Sequence, residues 1–135
     1  MDRRTGVAMS DFTLLRVLGK GTYGKVLLVK RITTGKFYAM KVLKKAQLAQ
    51  LQQVEHTKTE RRILEQARHP FIVKLKFAFQ TASKLCMVLE YCPGGELFFH
   101  LSRARRFSEL RACFYAACLV CAVEHLHSQD IVYRE

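Results

Sequence analysis

The chain has 135 residues, enough for a folded domain with its own core. Half of the residues are hydrophobic and a quarter are charged, which excludes a disordered chain. Lysine and arginine number 23 against 11 aspartate and glutamate, a formal +12 that favours polyanions (nucleotides, nucleic acid, acidic membrane surfaces, phosphopeptides) without choosing among them.

Residues 1–10 carry Arg3 and Arg4 but no apolar run behind them, so no signal peptide is read and the stretch is taken as a leader. Residues 12–18 and 25–30 are short apolar runs separated by glycines, which predicts two strands and a hairpin turn. Residues 36–43 follow the turn signal Thr34-Gly35 and predict a third strand. Residues 45–53 predict a short helix, and 56–67 a longer one ended by His69-Pro70. Residues 71–79 and 84–90 again read as strands. A break at Cys92-Pro93-Gly94-Gly95 precedes a short helix over 96–102. A long helix then runs from Ser108, as N-cap, to about His127. Strands, a helix, more strands and then helices give an α+β class rather than a doubly wound parallel sheet. The longest apolar run, residues 112–123, is far short of the roughly 20 residues that cross a bilayer, so no membrane span is expected. The protein is expected in the cytoplasm, with the nucleus as a second compartment, and its five cysteines as reduced thiols. Cys118 and Cys121 with His125 one turn on could suggest a metal site. No second ligand pair exists, and small apolar residues of a buried helix account for them, so no metal ligand is assigned.

Gly19-x-Gly21-x-x-Gly24 fits two phosphate-binding loops. A dinucleotide fold needs a helix after the glycines and an acidic residue about 20 positions on. Here Lys25-Val26-Leu27-Leu28-Val29 reads as strand, and the position 20 after Gly21 is Lys41. A glycine turn between two strands instead brings backbone N–H groups onto phosphates, although hairpin chemistry alone explains three glycines equally well. Ala39 and Lys41 share one face of the third strand, a small residue beside a cation with space for a flat base. A lysine snorkelling from a strand edge is the plainer reading. Glu60 changes that. His56, Glu60, Ile63, Leu64 and Ala67 form one helical stripe, so Glu60 is a carboxylate on the face that meets the sheet, with Lys41 as the obvious cation; the alternative is a Glu60 at the stripe's margin, in water beside a nearby arginine.

These segments resemble the beginning of a eukaryotic serine/threonine protein kinase domain of the AGC group, close to the ribosomal S6 kinase, protein kinase B and cAMP-dependent kinase branches. LGKGTYGKV resembles the glycine-rich loop, AMK the strand-three lysine motif and HTKTERRIL the C-helix. MVLEYCPGGELFFHL resembles the hinge and following helix, and RFSELRACFYAACLVCAVEHLHSQDIVYRE the approach to the catalytic loop. The resemblance implies a small lobe over 11–90, a twisted antiparallel five-stranded sheet with a C-helix. A hinge follows over 91–95 and the first helices of a truncated large lobe over 96–135. It implies ATP and magnesium as cofactors, and a protein substrate with basic residues near its Ser or Thr. The glycine loop, Leu18, Gly19, Lys20, Gly21, Thr22, Tyr23, Gly24, Lys25 and Val26, would cover the nucleotide. Leu18, Val26 and Ala39 would enclose the adenine, and Lys41, paired with Glu60, would hold the phosphates. Leu89 would be the gatekeeper. The backbone of Glu90 and Cys92 would meet the adenine edge, and Glu96 the ribose or a basic substrate side chain. Leu64, Leu75 and Tyr133 would stack as a spine, and His56 and Arg134 would face a phosphorylated loop.

The family pattern after Tyr-Arg has an Asp that accepts the substrate proton, then an Asn and an Asp-Phe-Gly that hold magnesium. Here the catalytic-base position is Glu135, the last residue. One reading is a substitution in a degenerate kinase, whose longer side chain misplaces the carboxylate. The other, favoured because the motifs before it are intact, is an incomplete copy of the domain. Either way these residues are expected to hold ATP without completing the transfer. A non-catalytic nucleotide-binding or docking module is the alternative. A nucleic-acid module is disfavoured, because the basic residues are dispersed and no nucleic-acid motif is present. The long helix resembles one that is covered on most sides in a complete kinase, so the chain is expected to be a monomer or aggregation-prone.

Overall fold

The structure, a computed structural model, describes residues 6–132; Tyr133, Arg134 and Glu135, and the roles expected of them, lie outside the described residues. Two compact units result: the described parts of Met1–Gln66 with Lys74–Tyr91, and Ala67–Val73 with the described parts of Cys92–Glu135.

Period-two alternation of β-branched and aliphatic residues builds the first unit. Its strands are β1 (Phe12–Gly21), β2 (Gly24–Arg31), β3 (Phe37–Lys44), β4 (Leu75–Gln80) and β5 (Lys84–Glu90). They form one antiparallel sheet in the order β1-β2-β3-β5-β4, with β3 in the middle. Two helices, α1 (Lys45–Gln50) and α2 (Val54–Gln66), connect β3 to β4. The α+β class and the five-stranded antiparallel sheet expected from the sequence are both present.

One face of the sheet carries the main core. Leu27 and Val29 of β2, Met40 and Val42 of β3, and Cys86 and Val88 of β5 are buried with Phe12. Phe12, Tyr38, Phe77 and Phe79 add an aromatic cluster with ring centroids 5.8–6.4 Å apart, and the Arg31 guanidinium lies 4.6 Å from the Phe77 ring. Leu43, Leu48 and Met87 form a smaller cluster that fastens α1, with Tyr23, Leu75 and Leu85 at its margin. Burying a side chain such as Leu48 contributes about 1.5–3 kcal/mol.

Three expectations need correction. β4 begins at Leu75, not at residue 71. The residues after Pro70 form turns in which Ile72 N–H donates to the His69 carbonyl and Phe71 N–H to His69 Nδ1, so an apolar sequence there is spent on a loop. The short helix ends at Gln50, where Gln52 takes a positive φ of 53°. His56 lies exposed against Gln53 Oε1, 3.0 Å away, so the inward stripe of α2 runs through Thr57, Glu60, Ile63 and Leu64 instead.

The second unit contains α3 (Leu97–Ala104) and α4 (Glu109–His127). Ser108 caps α4 as expected, its hydroxyl accepting from Arg111 N–H at 3.4 Å. The Arg111 guanidinium lies 4.4 Å from the Phe107 ring, and Phe107 meets Tyr115 at 5.4 Å. The rings of His69 and His125 approach to 5.1 Å. Only Ala122 is buried on α4, while Leu110, Phe114, Leu119 and Val120 are largely exposed. By length and composition α4, with a mean hydropathy of 1.2, could cross a membrane, a property the 12-residue apolar run did not reveal.

An apolar helix face of this kind favours association. The 135-residue chain should therefore elute in size-exclusion chromatography as assemblies that bind a hydrophobic dye. A chain ending at Ser102 should elute as a sharper, dye-free monomer. A single monomer peak with a cooperative melt for the 135 residues would contradict this.

Candidate functional site

Sheet register decides which side chains meet. Antiparallel pairing sets Val26 opposite Lys41 and Leu28 opposite Ala39 across β2 and β3. It sets Leu89 opposite Ala39 and Met87 opposite Lys41 across β3 and β5. Val26, Ala39, Lys41 and Leu89 thus occupy one face, the one opposite Met40 and Val42. Leu28 and Met87 share that face and are buried. The sequence reading passed over both, although alternation from Val26 and Leu89 points to them.

Lys41 Nζ donates to both oxygens of Glu60, at 2.7 Å and 2.9 Å. The two side chains keep 30% and 41% of their exposure, so the pair contributes at most about 1 kcal/mol to stability. Its chemical value is orientation. An ammonium has three donors, two are held by a carboxylate fixed on α2, and its charge is set on the face between Val26 and Met87.

The glycine turn joins β1 to β2. Gly21 pairs with Gly24, and Thr22-Tyr23 close the hairpin. Gly24 is required by packing, because a Cβ there would run into the carbonyl oxygen of Val42. At Gly19 and Gly21 a Cβ would meet nothing within 4 Å, and neither has a positive φ. Among the described residues, no contact excludes a side chain at these two positions. A group seated against the backbone would, and triphosphate oxygens seeking N–H donors are such a group. The residues fit a nucleotide in this respect. Leu18 is partly exposed at an irregularity of β1 between Val17 and Gly19.

A pocket of about 330 Å³ opens beside the turn, lined by Lys20, Thr22, Lys25, Lys44 and Lys84 among others. Lys44 and Lys84 are direct cross-strand partners, and the pocket has four lysines and no carboxylate. Val42 and Lys44 put this pocket on the sheet face away from Lys41. It is therefore distinct from the face that bears the Lys41–Glu60 pair.

At the end of β5, Glu90 N–H donates to the Lys74 carbonyl at 3.1 Å, and Lys74 N–H donates to Glu90 Oε2 at 3.3 Å. Lys76 Nζ stands 3.1 Å from Glu90 Oε1. Partial burial pushes the Glu90 carboxyl up. The hydrogen bonds from Lys76 and the Lys74 backbone, with both lysine charges, outweigh this and hold it below its ordinary value. The sequence reading used only the backbone of Glu90. Its side-chain partner was hidden because β4 is irregular between Leu75 and Phe77, leaving Lys76 out of the regular pairing. Cys92 and Glu96 belong to the second unit. Cys92 is exposed and starts a turn closed by Gly95 N–H, and Glu96 stands at the N-cap of α3 with no side-chain capping bond.

The sequence profile of the protein kinase domain matches residues 12–135. The chain belongs to the protein kinase domain family. It is 56% identical over 132 residues to RAC-beta serine/threonine-protein kinase of Homo sapiens, covering 98% of this chain and 27% of that protein. The Mus musculus protein of the same name gives the same figures. RAC-beta serine/threonine-protein kinase A of Xenopus laevis is 55% identical over 129 residues, 96% of this chain and 26% of that one. The chain thus spans about a quarter of the length of these relatives. The AGC-group resemblance and the kinase small-lobe sheet stand on these matches.

Two outcomes test the geometry. Gly24→Ala should destabilise the first unit by about 1–3 kcal/mol through overpacking, whereas Gly21→Ala, facing open space, should change stability little. Denaturant unfolding reads the difference, and equal effects would contradict the packing argument. Glu90 should titrate below its ordinary 4.5 in carboxyl-carbon NMR. A depressed carboxyl contributes stability above its unfolded value and loses it as pH falls through the folded one. Lys76→Met should raise the Glu90 titration, and an unshifted wild-type Glu90 would remove the clamp.

Proposed function

We propose that this chain is the ATP-holding part of a serine/threonine protein kinase, which moves the γ-phosphoryl group of ATP to a hydroxyl of a protein substrate. The observation that carries the reading is the Lys41–Glu60 pair, fixed on the sheet face shared by Val26, Ala39 and Leu89. Val26 and Ala39, with Leu18, enclose the adenine, and Leu89 closes the space behind it. Gly19 and Gly21 leave the backbone of the turn open to phosphate oxygens. Lys41, held by Glu60, neutralises phosphate charge as it develops. The Glu90 backbone takes the adenine edge, and the roles of Cys92 and Glu96 toward the nucleotide rest on the family resemblance alone.

ATP with magnesium supplies the activated phosphoryl group. These residues bind and orient it, and Glu135 stands where the family places its proton acceptor. No motif matching the family's magnesium ligands occurs in the 135 residues, so on their own they bind without turnover. The family match runs through α4, which argues that protein rather than lipid covers that helix. Protein substrates with basic residues near Ser or Thr and a cytoplasmic location are part of the same proposal.

ATP binding, followed by a fluorescent analogue, should be detectable and should weaken at least about tenfold in Lys41→Met, since a charge-assisted phosphate contact is lost. Phosphate transfer to a basic Ser/Thr peptide should be absent. Binding unaffected by Lys41→Met would refute the site. Transfer that disappears in Lys41→Met would refute the claim of no turnover. Salt-dependent shifts with DNA or RNA would support a nucleic-acid function instead.

A further inference from the structure

Lys76 is the residue of β4 that departs from regular pairing, lying between Leu75, opposite Leu89, and Phe77, opposite Val88. Such irregularities re-aim a side chain and are frequent beside functional sites. Here the amine reaches 3.1 Å from Glu90 Oε1, while the other carboxylate oxygen takes Lys74 N–H and the Glu90 N–H is tied to the Lys74 carbonyl. Glu90 is the last residue of β5, and three contacts converge on it, one from Lys76 of β4 and two from the backbone of Lys74 just before that strand. The pair is one-third exposed on each side, so stability alone is a poor account of it.

We propose that Lys76 is a positioning residue for the adenine base: through the Glu90 carboxylate it fixes where the chain leaves β5, and so orients the Glu90 backbone toward the base. This rests on the nucleotide reading above. Glu90 and Leu89 are adjacent in a strand, so their side chains leave on opposite faces. The clamp therefore acts from the face away from the base, and Lys76 touches neither base nor phosphate. Like any carboxylate, Glu90 is charged at neutral pH, and the Lys76 and Lys74 contacts lower its titration further.

The test compares two ligands on the full 135-residue chain by calorimetry: ATP, and purine riboside triphosphate, which keeps ring, ribose and phosphates but lacks the 6-amino group. That amine needs an acceptor, and on the nucleotide reading the acceptor is the Glu90 carbonyl. Lys76→Met should weaken ATP about three- to fivefold, the scale of an exposed pair, and leave the analogue within twofold. Lys76→Arg should restore the preference for ATP. A fall shared equally by both ligands, or no fall for either, overturns the positioning role while leaving the nucleotide reading in place. A wild-type chain that binds neither ligand overturns the nucleotide reading and this inference with it.

Discussion

The contact between Lys41 and Glu60 joins the middle strand of the sheet to a helix with little apolar grip on it. No residue of α2 is buried; Ile63 and Leu64 are half-covered, and much of the surface is charged, with Lys58–Glu55 and Arg61–Glu65 pairs of its own. A helix of this composition is stabilised mainly by what it docks against. Both partners of Lys41–Glu60 keep substantial contact with water, so the pair adds little to the folding free energy. It specifies where α2 lies along β3. If α2 moved by one turn, Glu60 would part from the amine and the lysine would lose its fixed direction. The site thus depends on an interaction that is weak in stability and strong in geometry.

That geometry is possible because β3 is read in two directions at once. Met40 and Val42 fill the core, with Met40 fully buried, while Ala39 and Lys41 stand on the other face. A slip of one residue would carry a lysine into the core and a methionine into the site. Desolvating an unpaired ammonium costs several kcal/mol, far more than the Lys41–Glu60 pair contributes. The hydrophobic core, not the ion pair, therefore holds Lys41 in register. Gly24 enforces the same register from β2, since only a residue without Cβ can lie so close to the Val42 carbonyl.

Where one physical rule governs a segment, the sequence is legible. β5 spans Lys84–Glu90, where a short apolar run reads as strand, and Ser108 caps α4 because a hydroxyl there can reach Arg111 N–H. The Lys41–Glu60 contact follows from a charge on a stripe that must face the sheet. Legibility fails where two rules compete. Residues 71–73 are apolar enough for a strand, but Pro70 and the hydrogen bonds to His69 make them a turn. His56 fits the helical stripe by spacing, yet at the start of α2 it finds Gln53 instead. Lys76 could not be placed by any periodicity, because its partner depends on an irregularity that changes the period.

The end of β5 brings these constraints together. Leu89 and Glu90 are neighbours in sequence, and the pleat sends them to opposite faces. Leu89 joins Ala39 on the face of Lys41, while Glu90 is drawn to the amine of Lys76. The same two residues form the last regular pairs of β5, Leu89 with Ala39 and Leu75, and Glu90 with Tyr38. Any shift that loosened Glu90 would therefore be felt at Leu89 through a single peptide unit, which resists twisting about its C–N bond. A surface ion pair and a half-buried aliphatic side chain are in this way mechanically one element, although no side-chain contact connects them.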